Sequence, residues 1–128
     1  MIYLDTSVAL AQLLAEDRTP PDTLWHEPLV SSRLLEYELF VRLHARGLAK
    51  THGEIARALV DRVALVEFSP LVLDRALEPF PRPVRTLDAL HLASVEFLRG
   101  RGRAVALASY DTRLTDAARR LGIPLVDL

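Results

Sequence analysis

Four acidic residues carry the chemistry this sequence could do. Asp5, Glu38, Asp88 and Asp111 lie far apart along 128 residues, yet each falls where an apolar strand ends or a helix begins. In a parallel sheet those places share one edge. Carboxylates gathered there, with little basic compensation in the local sequence, repel one another by roughly 4 kcal/mol per pair at ~4 Å and an effective dielectric of ~20. A divalent cation relieves that repulsion, and metal sites built from clustered carboxylates often handle phosphodiesters.

Each acid also has a plainer role. Asp5, in Tyr3-Leu4-Asp5-Thr6-Ser7, stands where a helix N-cap is worth about 1 kcal/mol. Thr6 and Ser7 could cap equally well, so metal ligation better explains an acid at the end of an apolar strand. Asp111, in Ala108-Ser109-Tyr110-Asp111, is placed to cap the last helix. Ser109 beside it can bond a ligand carboxylate or a metal-bound water, or merely satisfy the backbone of the turn. Asp88 lies in the first turn of a helix that Thr86 would cap, where an acid complements the helix dipole. His91, on the same face, reads more readily as a packed, hydrogen-bonded histidine than as a ligand. Glu36 and Glu38 compete for the fourth place: Glu38 with Arg42 is an ordinary i,i+4 surface pair, and spacing leans only slightly toward Glu38.

The elements that must position these residues alternate between strand and helix. Ile2 to Leu4 reads as a strand, followed after Asp5-Thr6-Ser7 by a helical run from Val8 to Leu14. Pro20 and Pro21 open a short helical piece to about His26, and Leu29 to Ser32 is a second strand. A helix from Arg33 to Arg46 stops at Gly47, and another runs from Thr51, as its cap, to Arg62. Ala64 to Phe68 is a third strand, and Pro70 begins a helix ending near Glu78. The stretch Pro79-Phe80-Pro81-Arg82-Pro83 is too proline-rich for helix or central strand and reads as a stiff connector. A helix from Thr86 to about Leu98, a strand from Arg103 to Ala108, a helix from Thr112 to Leu121 and a fifth short strand from Pro124 to Val126 complete the series.

This alternation predicts a three-layer α/β/α fold around a parallel sheet of about five strands with right-handed crossovers. A strand order of 3-2-1-4-5 makes strands one and four neighbours, puts the switch point between their carboxyl ends, and sets Asp5 and Asp111 side by side.

Composition narrows the function. The length suits one domain, residues 1–128, and 50% hydrophobic with 26% charged residues supplies a core and argues against disorder. The absence of cysteine removes disulfides, thiolate nucleophiles and zinc–cysteine sites, and fits a reducing cytoplasm. Asp5 interrupts the apolar N-terminus, and no stretch approaches the roughly 20 apolar residues of a membrane span, so neither signal peptide nor span is expected. A net charge of -1 means that any affinity for nucleic acid must come from local patches. Lys50 is the one lysine among 16 basic residues; the arginines suit bidentate phosphate contact, although a GC-rich coding sequence explains them as well.

Taken together and in order, Tyr3-Leu4-Asp5-Thr6-Ser7, the Ser31-Ser32 strand with Glu38-Leu39 and Arg42, Thr86-Leu87-Asp88-Ala89-Leu90-His91-Leu92-Ala93, and Ser109-Tyr110-Asp111 with Leu121-Gly122-Ile123 resemble the PIN domain. Within it, the likeness is to VapC-type toxins of bacterial and archaeal toxin–antitoxin pairs. The resemblance implies a metal-dependent endoribonuclease with Asp5, Glu38, Asp88 and Asp111 as its acidic quartet, which selects Glu38 over Glu36. Ser109 stands where the family usually has threonine, keeping the hydroxyl. Residues 48 to 84 match only loosely. The resemblance further implies a cognate antitoxin that covers an apolar groove, and homodimerisation.

On that basis hard carboxylate oxygens suit Mg²⁺ or Mn²⁺. Asp5 and Asp88 are expected to hold the principal ion, directly or through water, while Asp111 and Glu38 complete the site, orient water or bind a second ion. Thr6 and Ser109 support the ligands. Arg33, Arg82, Arg85 and Arg113, near the acidic cluster, are the candidates for RNA phosphate; Arg99, Arg101 and Arg103 fall at the opposite edge of the sheet and read as a solvated turn or a partner contact. Rival readings are a catalytically silent binding module whose acids only cap helices, a general RNA-processing nuclease, and a phosphotransferase with Asp5 as nucleophile. The last is weakened because no second aspartate stands at position 7 and no lysine lies near Asp88 or Asp111.

Overall fold

A computed structural model describes residues 1–128. Its elements are β1 (Ile2–Leu4), α1 (Thr6–Leu13), a 3-10 turn (Asp22–His26), β2 (Leu29–Ser32), α2 (Arg33–Ala45), α3 (Ala49–Asp61), β3 (Ala64–Val66), α4 (Pro70–Leu77), α5 (Thr86–Gly100), β4 (Ala106–Ala108) and α6 (Thr112–Arg120). The sheet is wholly parallel in the order β3-β2-β1-β4. The chain therefore builds outward from β1 to β3 and returns to β1's free side, where Ile2, Tyr3 and Leu4 pair with Ala106, Leu107 and Ala108.

Alternation along the short strands divides the core in two. Leu4, Leu29 and Ala108 face a cluster with Val8, Leu35, Leu39, Leu43 and Leu59 from α1, α2 and α3. Tyr3, Val30 and Leu107 face the other way, onto Leu92, Val95, Leu114 and Ala118 of α5 and α6. Burying each leucine contributes on the order of 1.5–3 kcal/mol, so both layers are held by the same force acting on a period of two. Tyr3 and Asp5, two residues apart, share the α5 side of the sheet.

The expected layers, parallel pairing and β1–β4 switch point are present, with differences at element boundaries. The fifth strand is a single bridge, Leu125 to Leu107, so the sheet has four strands. Gly122, at φ 72°, closes α6 with Ile123 N–H donating to the Ala118 carbonyl; the chain then meets β4 only between Pro124 and Val126. β3 and β4 are also shorter than expected. Thr51 does not cap α3, which begins at Ala49 after Leu48. Gly47, at φ 69°, ends α2 with Leu48 N–H bonded to the Leu43 carbonyl, and this tight reversal starts the next helix before Thr51, whose hydroxyl bonds back to Leu48. Thr86 is the first residue of α5; Arg85 is its N-cap, and its N–H donates to Asp88 Oδ2 at 3.3 Å.

Candidate functional site

Asp5, at the end of β1, is held on one side only. Its Oδ2 accepts from Ser7 Oγ at 2.6 Å, Ser109 Oγ at 2.8 Å and Ser7 N–H at 3.3 Å. Its Oδ1 has no hydrogen bond and lies 3.6 Å from His91 Nε2. Asp5 is thus both the N-cap of α1 and a carboxylate with a free oxygen; the two roles use different atoms.

The other three acids repeat this division. Asp88 Oδ2 accepts from Arg85 N–H, and Asp111 Oδ1 accepts from Arg113 N–H at 2.9 Å and Leu114 N–H at 3.3 Å, capping α6. Glu38 Oε1 receives Thr6 Oγ1 at 2.9 Å and His91 Nε2 at 2.8 Å. Asp88 Oδ1, Asp111 Oδ2 and Glu38 Oε2 make no hydrogen bond within the chain. A sealed carboxylate oxygen without a partner would be costly; here the one buried side-chain polar atom lacking a partner is Trp25 Nε1, so the free oxygens open to solvent.

Asp5, Glu38, Asp88 and Asp111 all line a cavity of about 660 Å³ at the carboxyl edge of the sheet. Burial pushes the Asp88 carboxyl above its ordinary range, and the charges of Asp111 and Asp5 push it further, against the Arg85 N–H that favours ionisation. That is the electrostatic signature of anions sharing a site. The oxygen donors suit a hard divalent cation. As the side chains stand, no three His, Cys, Asp or Glu groups are gathered to hold an ion by themselves. An ion here would therefore retain water in part of its shell, as Mg²⁺ normally does.

Supporting residues lock this edge. Ser109 joins β1 to β4 by donating to Asp5 at 2.8 Å while accepting from Asp111 N–H at 3.0 Å. Thr6 Oγ1 donates to Glu38 Oε1 at 2.9 Å and so ties α1 to α2. Ser7, read from the sequence only as an alternative cap, also accepts Tyr110 N–H at 3.0 Å and so ties α1 to the β4 turn. Its position two residues after Asp5 was the available signal. His91 is fully packed, as expected, bonded to Tyr3 Oη at 2.8 Å and to Glu38. Burial opposes its charge, but the Tyr3 oxygen and the carboxylates of Glu38 and Asp5 outweigh that and carry its pKa up to about 10.

The arginines are placed differently from expectation. Arg33 is bound to Glu67 and Glu36 on the outer surface and does not line the cleft. Arg85 does line it; Arg82 and Arg113 line an adjoining groove that Arg85 shares. Arg42 is not paired with Glu38, which is occupied by Thr6 and His91. It lines the cleft instead, with Arg46 one turn further and Arg18 from the segment after α1, whose guanidinium lies 4.7 Å from the centre of the Tyr110 ring. None of Arg18, Arg42, Arg46 and Arg85 belongs to an ion pair. The i,i+4 series Glu38, Arg42, Arg46 was the signal for two of them; Arg18 had none, because its approach depends on how the segment after α1 folds back.

Comparison with known proteins places the chain in a family. The PIN domain family model matches residues 2–120. Ribonuclease VapC46 of Mycobacterium tuberculosis (strain ATCC 25618 / H37Rv) is 35% identical over 130 residues, spanning 98% of this chain and 95% of the relative. Ribonuclease VapC47 of Mycobacterium tuberculosis (strain CDC 1551 / Oshkosh) is 31% identical over 129 residues, with 95% and 93% covered, and Ribonuclease VapC35 of the same strain is 30% identical over 135 residues, with 98% and 96% covered. With its four-acid edge, its β3-β2-β1-β4 sheet and a match along nearly its whole length, the chain belongs to the PIN domain family, among its VapC-type members.

Proposed function

We propose that this protein is a Mg²⁺- or Mn²⁺-dependent endoribonuclease that hydrolyses RNA phosphodiesters and serves as the toxin of a type II toxin–antitoxin pair. The observation that carries the reading is the division of labour within each carboxylate: one oxygen of Asp5, Glu38, Asp88 and Asp111 is anchored, the other makes no hydrogen bond, and all four residues line one cleft together with unpaired arginines. The naming of the three relatives as ribonucleases supports it. When bound, the cation would stabilise negative charge on the phosphate and lower the pKa of a water molecule.

The chain's own residues supply the rest. Asp5 and Asp88 would hold the principal ion, with Asp111 and Glu38 completing the site and orienting water. Ser7 and Ser109 fix Asp5 by donating their hydroxyl protons to it, and the two ring nitrogens of His91 are taken by Tyr3 and Glu38, so neither serine is paired with a histidine base. The attacking group in this reading is water. Arg42, Arg46, Arg18 and Arg85 receive RNA phosphate, with Arg82 and Arg113 extending the track; Arg33, held by two glutamates, is not part of it.

A silent binding module would use the four acids only as caps. Glu38 caps nothing, and the free oxygens have no place in that reading. Exposed Leu71, Leu73 and Leu77 on α4, beside an apolar groove with Phe80, supply surface for an antitoxin or a second copy of the chain. No helix is long and apolar enough to cross a membrane, and a cytoplasmic site of action fits a substrate of cellular RNA.

The test is cleavage of end-labelled RNA with Mg²⁺ or Mn²⁺ and with chelator, for the native chain, Asp5→Asn and Asp88→Asn. Cation-dependent cleavage lost in both variants is the expected result; unchanged cleavage by both would overturn it. Induction in a bacterial host should arrest growth, with relief on co-expression of a cognate antitoxin. A nuclease that cleaves without arresting growth would point to general RNA processing.

A further inference from the structure

His91 and Tyr3 are buried polar residues that the proposed hydrolysis does not use. His91 is 2% exposed and Tyr3 is fully buried, inside a layer otherwise built from Val30, Leu92, Val95 and Leu107. Groups of this kind are retained in an apolar layer at a desolvation cost, so their contacts ask for an explanation. The two rings meet edge to face at 5.7 Å, and the Tyr3 hydroxyl lies 2.8 Å from His91 Nδ1. The opposite ring nitrogen, Nε2, is 2.8 Å from Glu38 Oε1 and 3.6 Å from Asp5 Oδ1.

The proton positions follow from the partners. A carboxylate only accepts, so Nε2 carries a hydrogen and donates it to Glu38. In the neutral ring Nδ1 then accepts from the Tyr3 hydroxyl; in the charged ring it donates to the hydroxyl oxygen. Either way Tyr3 sets the ring's rotation, and the ring sets Glu38. The relay spans three elements, from β1 through α5 to α2, and fixes an acid on a helix that packs against the opposite face of the sheet from α5.

We propose that Tyr3 and His91 are positioning residues that hold Glu38 Oε1, so that Oε2 is presented to the cleft as part of the cation site. The inference rests on the metal-site reading above. Outer-shell partners of this kind are worth about 10–100-fold in metal affinity or activity.

The experiment is Mn²⁺ titration by calorimetry, with melting temperature recorded for each variant. Tyr3→Phe removes one hydroxyl and keeps the packing; His91→Leu removes the donor; His91→Gln restores an N–H near the Nε2 position. Tyr3→Phe and His91→Leu should weaken Mn²⁺ binding, the latter about 10-fold or more, with His91→Gln recovering part of it. In a Glu38→Gln background, His91→Leu should cost no further affinity, because its effect passes through Glu38. A merely structural role moves melting temperature and leaves Mn²⁺ affinity, or its coupling to Glu38, unchanged; that result overturns the inference. If His91→Leu does not fold, unchanged Mn²⁺ affinity in Tyr3→Phe overturns it alone. Asp5→Asn serves as the control: retained Mn²⁺ binding there would bring down the metal-site reading itself.

Discussion

Glu36 and Glu38 stand two residues apart on α2 and belong to different environments. Glu36 looks outward to Arg57, whose guanidinium also stacks over Phe40 at 4.6 Å, and to Arg33, itself bound to Glu67. Every charge in that network has an opposite partner, and the Arg57 hydrogen bond holds the Glu36 carboxyl below its ordinary range despite partial desolvation. The cleft around Glu38 differs: Glu38 is bound to Thr6 and His91, while the arginines that line the cleft make no ion pair with its acids. Four acids share it, and Asp88 is pushed upward by burial and by the charge of Asp111 and Asp5. The lesson is that a satisfied carboxylate stabilises a surface, whereas an under-compensated one marks a place where a ligand can complete the charge balance.

The comparison can be broken at several points. The largest effect should follow Asp5→Asn: cleavage falls by more than the ~10–100-fold that loss of an outer-shell partner costs, with little change in fold by circular dichroism. Replacing the two glutamates separately sharpens the contrast further. Glu38→Gln should weaken Mn²⁺ binding about 10-fold, whereas Glu36→Gln leaves affinity and cleavage unchanged. Equal losses in both would mean that the two environments are not distinct.

A smaller effect is expected at the rim. Arg42→Ala with Arg46→Ala should raise KM for RNA several-fold while Mn²⁺ affinity stays constant, and should flatten the dependence of log affinity on log salt by about 0.7 for each phosphate that is no longer neutralised. Arg33→Ala is the matched control, already engaged by Glu67 and Glu36, and should change neither.

The smallest effect is thermal. Because the Asp88 carboxyl is raised in the fold, its neutral form is the favoured one, and the associated stability is present at low pH and lost as pH rises through the raised value. At neutral pH the ion-free protein therefore carries a penalty there. Asp88→Asn keeps an acceptor for Arg85 N–H and should raise the ion-free melting temperature by a few degrees, a gain that fades on acidification. Mn²⁺ should raise the melting temperature of the native chain and not of the variant. Glu36 has the opposite sign: its contribution is present above the ordinary carboxylate range and is lost as pH falls through its depressed value.

Much of this was legible in the residues. Strand and helix order followed from period and punctuation, and the neighbouring places of strands one and four followed from the long return after strand three. Asp5, Asp88 and Asp111 could be nominated because each sits beside an element boundary, where a parallel sheet collects its loops. Boundary details were less accessible. Whether Thr51 or Leu48 precedes α3 depends on how tightly Gly47 lets the chain reverse, and the weak fifth strand depends on how much of 124–126 remains free to pair after the Gly122 turn.

The sequence by itself determined the chemistry available: oxygen ligands without thiols, arginine as nearly the whole basic complement, and acids at the ends of apolar strands. Only the tertiary structure decided which oxygen of each acid is anchored and which is free, that Glu38 meets His91 and not Arg42, and that Arg18 and Arg46 rather than Arg33 line the cleft. The reason is physical. Helical and strand periods are local properties of a few successive residues, whereas a hydrogen bond between residues 3 and 91, or 5 and 109, exists only after two hydrophobic layers have closed on the sheet and fixed the distance between chains that the sequence leaves far apart.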